Sequence, residues 1–304
     1  EIDLNFFDPV TAVESLFSSD ITDVDGFFSV LVIPAVYDVE FRTTLTTIGG
    51  PYVEVLLESR PLTTDLDLGP VEFLTGHILS GTVQDASFAG VFAADIDVRD
   101  PLTGSTLVTP GDSTDINGVF SILVPVGDWA LEIDPPVGSP LVAKLISTTV
   151  TAGVTNNIGL ITLANGVNIS GTTVTAGGTA VPEVDLDFVI SSTQIEVPTA
   201  HDNANALGVF SVQVEPDLYD VQFRPPFASG LSPLVLSMED VTQNVVLGPV
   251  VLSAGPGLTG TVTASGIAVE GAEVTLEDPA TGAKVYTFGN DTDALGQYAL
   301  RQVA

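Results

Sequence analysis

Strict alternation of apolar and polar residues runs through the stretch GVFSVQVEP, where Phe210, Val212 and Val214 alternate with Ser211, Gln213 and Glu215. The next segment, YDVQFR, sets Tyr219, Val221 and Phe223 on one face and Asp220, Gln222 and Arg224 on the other. VDLDFVI groups Leu186 with Phe188 in the same manner. Successive side chains of a strand point to opposite faces, so a period of two predicts half-buried β-strands. Runs of this kind, about 5–8 residues long and separated by Gly, Pro, Asp and Asn, are the signature of an antiparallel sandwich. No segment carries a helical stripe of useful length.

The pattern itself recurs. Gly26 is followed by FFSVLV, Gly118 by VFSILV, Gly208 by VFSVQV and Gly296 by QYALRQ, at spacings of 92, 90 and 88 residues. LSGTV, ISGTT and LTGTV, centred on Gly81, Gly171 and Gly260, keep spacings of 90 and 89. Gly69, Gly159 and Gly248 give 90 and 89 again, and the aromatics Tyr37, Trp129 and Tyr219 give 92 and 90. Markers sharing one period define an array of one partial repeat (1–74), two full ones (75–164 and 165–254) and a second partial one (255–304), each with about seven strands when full. The first lacks the SGTV strand, and the last stops soon after its glycine hairpin. A window on a longer tandem protein is the simpler expectation; completion of the ends by neighbouring molecules, as in strand donation, is the rarer one.

The residues SGTVQDASFAGVFAADIDVRDPLTGSTL and STDINGVFSILVPVGDWALEI resemble the carboxypeptidase regulatory-like domain. They are similar too to the B-type repeats of collagen-adhesin surface proteins. The matching pieces are Gly81, the turn Asp100-Pro101 to Thr103-Gly104, the hairpin Asp115 to Gly118-Val119-Phe120, and the strand start Gly127 to Trp129; EGAEVTLEDPATG repeats part of the pattern. The resemblance implies a transthyretin-like sandwich that serves as spacer, stalk or accessory module without catalytic residues. The expected fold is therefore all-β: tandem antiparallel immunoglobulin-like or transthyretin-like β-sandwich domains of about 90 residues, as beads on a string. The resembled repeats often carry a Lys–Asn crosslink between first and last strands. Lys144 and Lys284, the two lysines, lie outside the strands of Gly81, Gly171 and Gly260, so no self-crosslink is expected.

Composition narrows the function. Seven Lys and Arg stand against 39 Asp and Glu, a formal net charge of −32. That field repels phosphate backbones and anionic lipid, which removes nucleic-acid binding and polybasic membrane attachment. Only 15% of residues are charged, 45% are apolar, and mean hydropathy is +0.43. Disordered acidic tails lack such apolar content, so a folded β-protein with covered apolar surface is expected. The absence of cysteine removes disulfides, thiolate metal sites and thiol nucleophiles. Residue 1 already lies in a strand-like stretch, which argues against a secretory signal here. The longest uncharged run, Leu145 to Pro182, is broken by Thr, Asn and Gly and is no membrane span.

Candidate chemistry concentrates ahead of the hairpin glycines, as in DITDVDGFFSVLV. Asp20, Asp112, Asp202 and Asn290 stand six residues before them, Asp23, Asp115, Asn205 and Asp293 three before, with Asp25 and Asn117 adjacent and Asp291 beside Asn290. Two readings compete. Calcium takes about six to eight oxygens, which carboxylates three apart around a turn would partly supply; no other cofactor is expected. Asp and Asn also cap turns through nearby backbone N–H groups, with glycine at positive φ. The EF-hand template fails, since its first ligand would fall on Ile21 or Ser113.

His77 and His201 have no counterparts in the other repeats and suggest no triad or zinc site. Trp129 replaces Tyr37 and Tyr219, which favours a core or corner role over a glycan platform. Asn168 and Asn290 fit the N-glycosylation pattern. By the period of two, Phe27, Leu31 and Ile33 in the first repeat, and Val119 and Leu123 in the second, fall opposite the core as a candidate interface. A loop, a neighbouring repeat or another molecule should cover them.

The expected function is structural and non-enzymatic: a segment of an extracellular filament, stalk or cell-surface protein that packs against copies of itself. An adhesin presenting loops to a glycan or surface protein is the alternative, with Val189 to Gly208 as the loop that breaks the repeat symmetry. A spacer in a larger secreted enzyme is a third reading.

Overall fold

The computed structural model describes the chain apart from residues 10, 44–50, 270, 278, 283, 286, 289, 290, 294, 303 and 304. The described residues are strands, turns and one 3-10 turn, Phe227–Ser229, with no α-helix. They fall in two compact units, Glu1–Ile133 with Leu145–Thr162, and Asp134–Lys144 with Leu163–Ala304.

The first unit opens with β1 (Ile2–Phe7), β2 (Glu14–Ser15), β3 (Ala35–Thr43) and β4 (Val55–Leu62), one antiparallel sheet in the order β2-β1-β3-β4. Seven strands follow: β5 (Gly76–Gln84), β6 (Asp95–Arg99), β7 (Thr106–Leu107), β8 (Val119–Pro125), β9 (Gly127–Asp134), β10 (Lys144–Val150) and β11 (Asn156–Thr162). They form two sheets, β10-β9-β6-β7 and β11-β5-β8. The second unit repeats this plan with β12 (Val167–Thr175), β13 (Asp185–Ile190), β14 (Ile195–Val197), β15 (Val209–Val214), β16 (Asp217–Arg224), β17 (Leu234–Val241) and β18 (Val245–Leu252). Its sheets are β14-β13-β16-β17 and β15-β12-β18. The remaining strands are β19 (Gly257–Thr261), β20 (Thr263–Ala264), β21 (Ile267–Ala268), β22 (Leu276–Glu277), β23 (Lys284–Val285), β24 (Thr287–Phe288) and β25 (Gln297–Gln302). Among them β25 pairs with both β19 and β24.

The fold is all-β, as the alternation predicts. In the third repeat one core joins both sheets: Ile169, Phe210, Val212 and Val250 come from one, and Leu186, Phe188, Tyr219, Val221, Phe223 and Val241 from the other. Removing a side chain the size of Phe210 or Phe223 from water stabilises the fold by about 1.5–3 kcal/mol each. Ser211 stays exposed, as expected, but Gln222 on the opposite face of its strand is buried, and accepts a bond from Arg224 at 3.3 Å.

The sheets are antiparallel with one regular departure. The first strand of each full repeat lies at the centre of its three-stranded sheet, antiparallel to the hairpin strand and parallel to the last one. Its glycine is placed by a collision. A Cβ on Gly171 would stand 2.6 Å from the Phe210 ring, and one on Gly81 would stand 2.8 Å from the Phe120 ring. The ring fills the space that a side chain would need.

The first three repeats also turn a corner in the same way. Tyr37 donates its hydroxyl to the Ile33 carbonyl at 3.0 Å, Tyr219 to Glu215 at 2.8 Å, and the Trp129 indole N–H to Pro125 at 2.9 Å. All three reach four residues upstream, which accounts for an amphipathic aromatic at that position and assigns Trp129 to the corner.

The first repeat departs from the sequence expectation at one segment. The residues after Gly26 alternate as regularly as their counterparts in β8 and β15, yet 27–33 form no strand. A strand requires a partner ladder, and the partner in the full repeats is the first strand, β5 or β12. No described strand occupies that place beside 27–33.

Candidate functional site

The four hairpins preceding the repeat glycines are capped identically. Asp23 Oδ1 accepts the N–H groups of Asp25 (3.0 Å) and Phe27 (2.9 Å), and Asp115 Oδ1 those of Asn117 (2.8 Å) and Val119 (2.9 Å). Asn205 Oδ1 accepts from Leu207 (2.9 Å) and Val209 (3.1 Å), and Asp293 Oδ1 from Leu295 (2.9 Å) and Gln297 (2.8 Å). The glycine closes each turn with φ of 82°, 78°, 70° and 70° in chain order. Asparagine serves as well as aspartate, so the element needs an acceptor oxygen rather than a charge. The bonds from Val119 and Asn117 hold the Asp115 carboxyl below the usual range.

The outer acids have separate partners. Asp112 Oδ2 accepts from the Thr109 hydroxyl at 2.9 Å, and Asp202 Oδ2 from Thr199 at 2.6 Å. Asp20 is half-buried, Asp25 and Asn117 are exposed, and Asp291 forms a backbone bridge with Glu273. Asn290, proposed both as a ligand and as a glycan acceptor, lies outside the described residues. Among the described residues no three Asp, Glu, His or Cys side chains converge as a metal ion would require.

Sequence reading missed a different acidic feature, on the outer face of the four-stranded sheets. Burial pushes Asp97, Asp112 and Asp202 upward, and neighbouring charges add to it: Asp95 at Asp97, Asp95 and Asp97 at Asp112, and Asp185 at Asp202. Burial takes Asp187 up to about 7 even though Arg224 pairs with it and pulls the other way. One arginine serves each of the first three repeats on this face: Arg42 with Glu40 (3.0 Å), Arg99 with Glu132 (2.5 Å) and Arg224 with Asp187. Glu54, 3.8 Å from Arg42, is pushed up to about 7 by burial first and by the Glu40 charge second. Some of these groups alternate along one strand, such as Glu40 with Arg42, but partners such as Glu54, Glu132 and Arg224 come from other strands.

Four of the five predicted interface residues, Phe27, Leu31, Ile33 and Val119, are exposed, Leu31 at 91%. Leu123 is not: it is half-buried and lines a cleft of about 910 Å³ in the first unit with Tyr52, Val53, Gly76 and His77.

Phe27 and Leu31 stand at the mouth of a second feature, a groove of about 540 Å³ floored by Leu4, Phe6 and Val39 and walled by 27–34 and 62–68. Residues 28–33 and 64–72 make no backbone–backbone hydrogen bond to any described residue. The wall is nonetheless in its finished place. The Phe28 and Phe41 rings lie 5.6 Å apart at 67°, and their counterparts Phe210 and Phe223 lie 5.6 Å apart at 66°.

The remaining candidates resolve locally. His77 is half-buried in the cleft, while His201 is exposed, at φ 55°, with Nε2 2.9 Å from the Pro135 carbonyl oxygen. Lys144 is exposed, and Asn168 donates through its side chain to Ser211 at 2.9 Å. Val189 to Gly208 does not break the repeat plan: it contains the end of β13, a turn pinned by Ser191 and Gln194 on Asp220, and β14, the counterpart of β7.

No protein-family model matches the sequence, and no curated protein matches it. Among solved structures the chain is similar to the Bacillus anthracis TIE protein, at 14% identity and TM-score 0.26, over 99% of this chain and 58% of that one. It thus spans 58% of that protein's length. It is similar also to shaft pilin SpaA from Lactobacillus rhamnosus GG (7%, TM-score 0.26, 60% of this chain and 99% of that one). A Streptococcal ancillary pilin gives 13% and TM-score 0.26 over 84% of this chain and 92% of that one. At these identities and scores the likeness carries no function to this chain.

Proposed function

We propose that this chain is a non-enzymatic structural segment of an extracellular filament, stalk or cell-surface protein, built from tandem sandwich repeats of about 90 residues and associating with copies of itself. The single observation that carries the reading is repetition of the same frame. Two stretches of the chain share strand order, hairpin cap, corner and glycine-on-phenylalanine contact, and differ in their exposed residues. Repetition of a frame without repetition of a reactive group supports length as the product. Exposed Leu31, Phe27 and Ile33 supply apolar surface for contact. A net charge of −32 sets a repulsion that salt must screen before chains can pack.

Negative-stain electron microscopy across a salt series, with and without calcium, tests the proposal. Rods or filaments that lengthen as salt rises are expected; dispersed monomers under every condition would overturn it.

A further inference from the structure

We infer that the segments connecting successive repeats are clamped joints rather than flexible tethers, so that repeats sharing a compact unit move as one stiff body. The inference rests on the tandem-repeat reading proposed above and adds the mechanical property of its joints.

The connecting segments are short. Phe73 packs on the core of the first repeat and β5 begins at Gly76; Leu252 lies in the core of the third repeat and β19 begins at Gly257. Each segment is paired with a loop of the repeat before it. Val53 N–H donates to the Leu74 carbonyl at 3.0 Å and Gly76 N–H to that of Pro51 at 2.8 Å, which closes an antiparallel bridge between Tyr52 and Thr75. The same two bonds run from Val142 to Ala164 (3.0 Å) and from Gly166 to Pro140 (2.8 Å). They recur from Ser232 to Ser253 (2.8 Å) and from Gly255 to Gly230 (3.3 Å). Each of the three ladders lies inside one compact unit. A flexible linker behaves as an unpaired coil, and a hinge needs residues free to change φ and ψ. These segments are bonded at both ends.

The glycine of each segment shows how closely the loop is seated. Gly76, Gly166 and Gly255 do not have positive φ, so no turn requires them. Close approach does. A Cβ on Gly76 would stand 3.3 Å from the Val53 side chain, one on Gly166 would stand 2.6 Å from that of Val142, and one on Gly255 would collide with Ser232 Oγ. Val53, Val142 and Ser232 are equivalent positions of the three loops, and all are buried. Glycines of open turns, such as Gly104 and Gly178, have nothing within 4 Å of that point. Two joints add a side-chain lock. His201 Nε2 lies 2.9 Å from the Pro135 carbonyl oxygen at the second. At the third, Arg301 donates to the carbonyls of Gly255 and Phe227, with its guanidinium 4.5 Å over the Phe227 ring. The first joint instead borders the cleft of about 910 Å³, so it is the most demanding one to test.

The chain has no cysteine, so spin labels can be placed in chosen pairs. Glu14→Cys with Ser147→Cys reads across the first joint, and Thr103→Cys with Ser147→Cys reads within the second repeat; all three sites are exposed. Double electron–electron resonance on dispersed chains, diluted with unlabelled protein so that assembly plays no part, gives each distance distribution. The cross-joint width is expected to match the within-repeat width. A Gly-Ser-Gly-Ser insertion after Thr75 should broaden the cross-joint distribution about twofold or more and leave the within-repeat one unchanged. Gly76→Val should broaden it too, because the added side chain displaces Val53. The within-repeat pair in that variant reports whether the fold survives; where it does not, the insertion alone decides. A parent cross-joint distribution as broad as that of the insertion would overturn the clamped joint and leave self-association standing. A narrow one that the insertion, or a folded Gly76→Val chain, leaves narrow would overturn this ladder as the cause of the stiffness. A broad distribution within the repeat itself would overturn the sandwich-repeat reading beneath the inference.

Discussion

The segments after Gly26 and after Gly118 are nearly the same sequence, GFFSVLV against GVFSILV, yet one is irregular and the other is a ladder strand paired with β5. Their cores agree: Phe28 and Phe120 both turn inward, and Phe28 stacks on Phe41 in the geometry that Phe210 adopts on Phe223. What differs is the neighbour. Alternation decides which side chains face the core, but hydrogen-bonding partners decide whether the backbone becomes a strand. Among the described residues, 27–33 have no strand beside them, whereas β8 pairs with β5.

Amide exchange separates the two segments most widely. The N–H groups of 28–32 should exchange faster than those of 120–124 by a factor on the order of 100 or more, since the latter open with their sheet. Hydrogen exchange read by mass spectrometry checks this, and slow exchange at 28–32 in a dispersed sample would show that a partner is already in place.

The hairpin glycines come next. A Cβ on Gly118 would stand 2.1 Å from the Val83 carbonyl oxygen, while one on Gly26 meets nothing within 4 Å. Gly118→Ala should cost about 3 kcal/mol, combining positive φ with collision. Gly26→Ala should cost about 1 kcal/mol from φ alone. Urea denaturation measures both, and equal losses would mean that the collision at Gly118 is relieved without cost.

Proton linkage acts with both signs in this molecule. Glu54 sits at about 7 against an ordinary 4.5, so between those values the folded chain holds a proton that the unfolded chain has lost. Stability therefore falls as pH rises from about 4.5 to about 7, and Glu54→Gln should flatten that slope in a urea series at pH 5 and 7.5. Asp115, held low by its turn, acts oppositely: its contribution is present above 3.8 and is lost as pH falls through the lower folded value.

The smallest effect should not distinguish the regions at all. Tyr37→Phe and Tyr219→Phe each lose one hydroxyl bond to a carbonyl four residues back. Each should lower stability by about 1 kcal/mol. Thermal melts showing a much smaller loss for Tyr37→Phe would mean that the open repeat also loosens its corner.

The fold was legible where it depends on local chemistry. Period two marked Phe210, Val212, Tyr219 and Phe223 as core, and the ninety-residue rhythm aligned glycines whose collisions the coordinates now explain. Pairing was less legible. That the first and last strands run parallel, that Arg42 meets Glu54, or that Leu123 and Val53 line one cleft depends on contacts between distant segments, which no short pattern encodes. The groove was visible only as a missing motif; its depth, and the finished position of Phe28, required the fold.

Parallel pairing of the first and last strands in each full repeat has a mechanical consequence. Tension applied at Gly76 and Thr162 drags β5 and β11 in opposite directions along their shared ladder. Every hydrogen bond between them is then loaded in shear at once, whereas an antiparallel hairpin pulled from its two adjacent ends would unzip one rung at a time. A chain with this arrangement in each link is suited to bearing load.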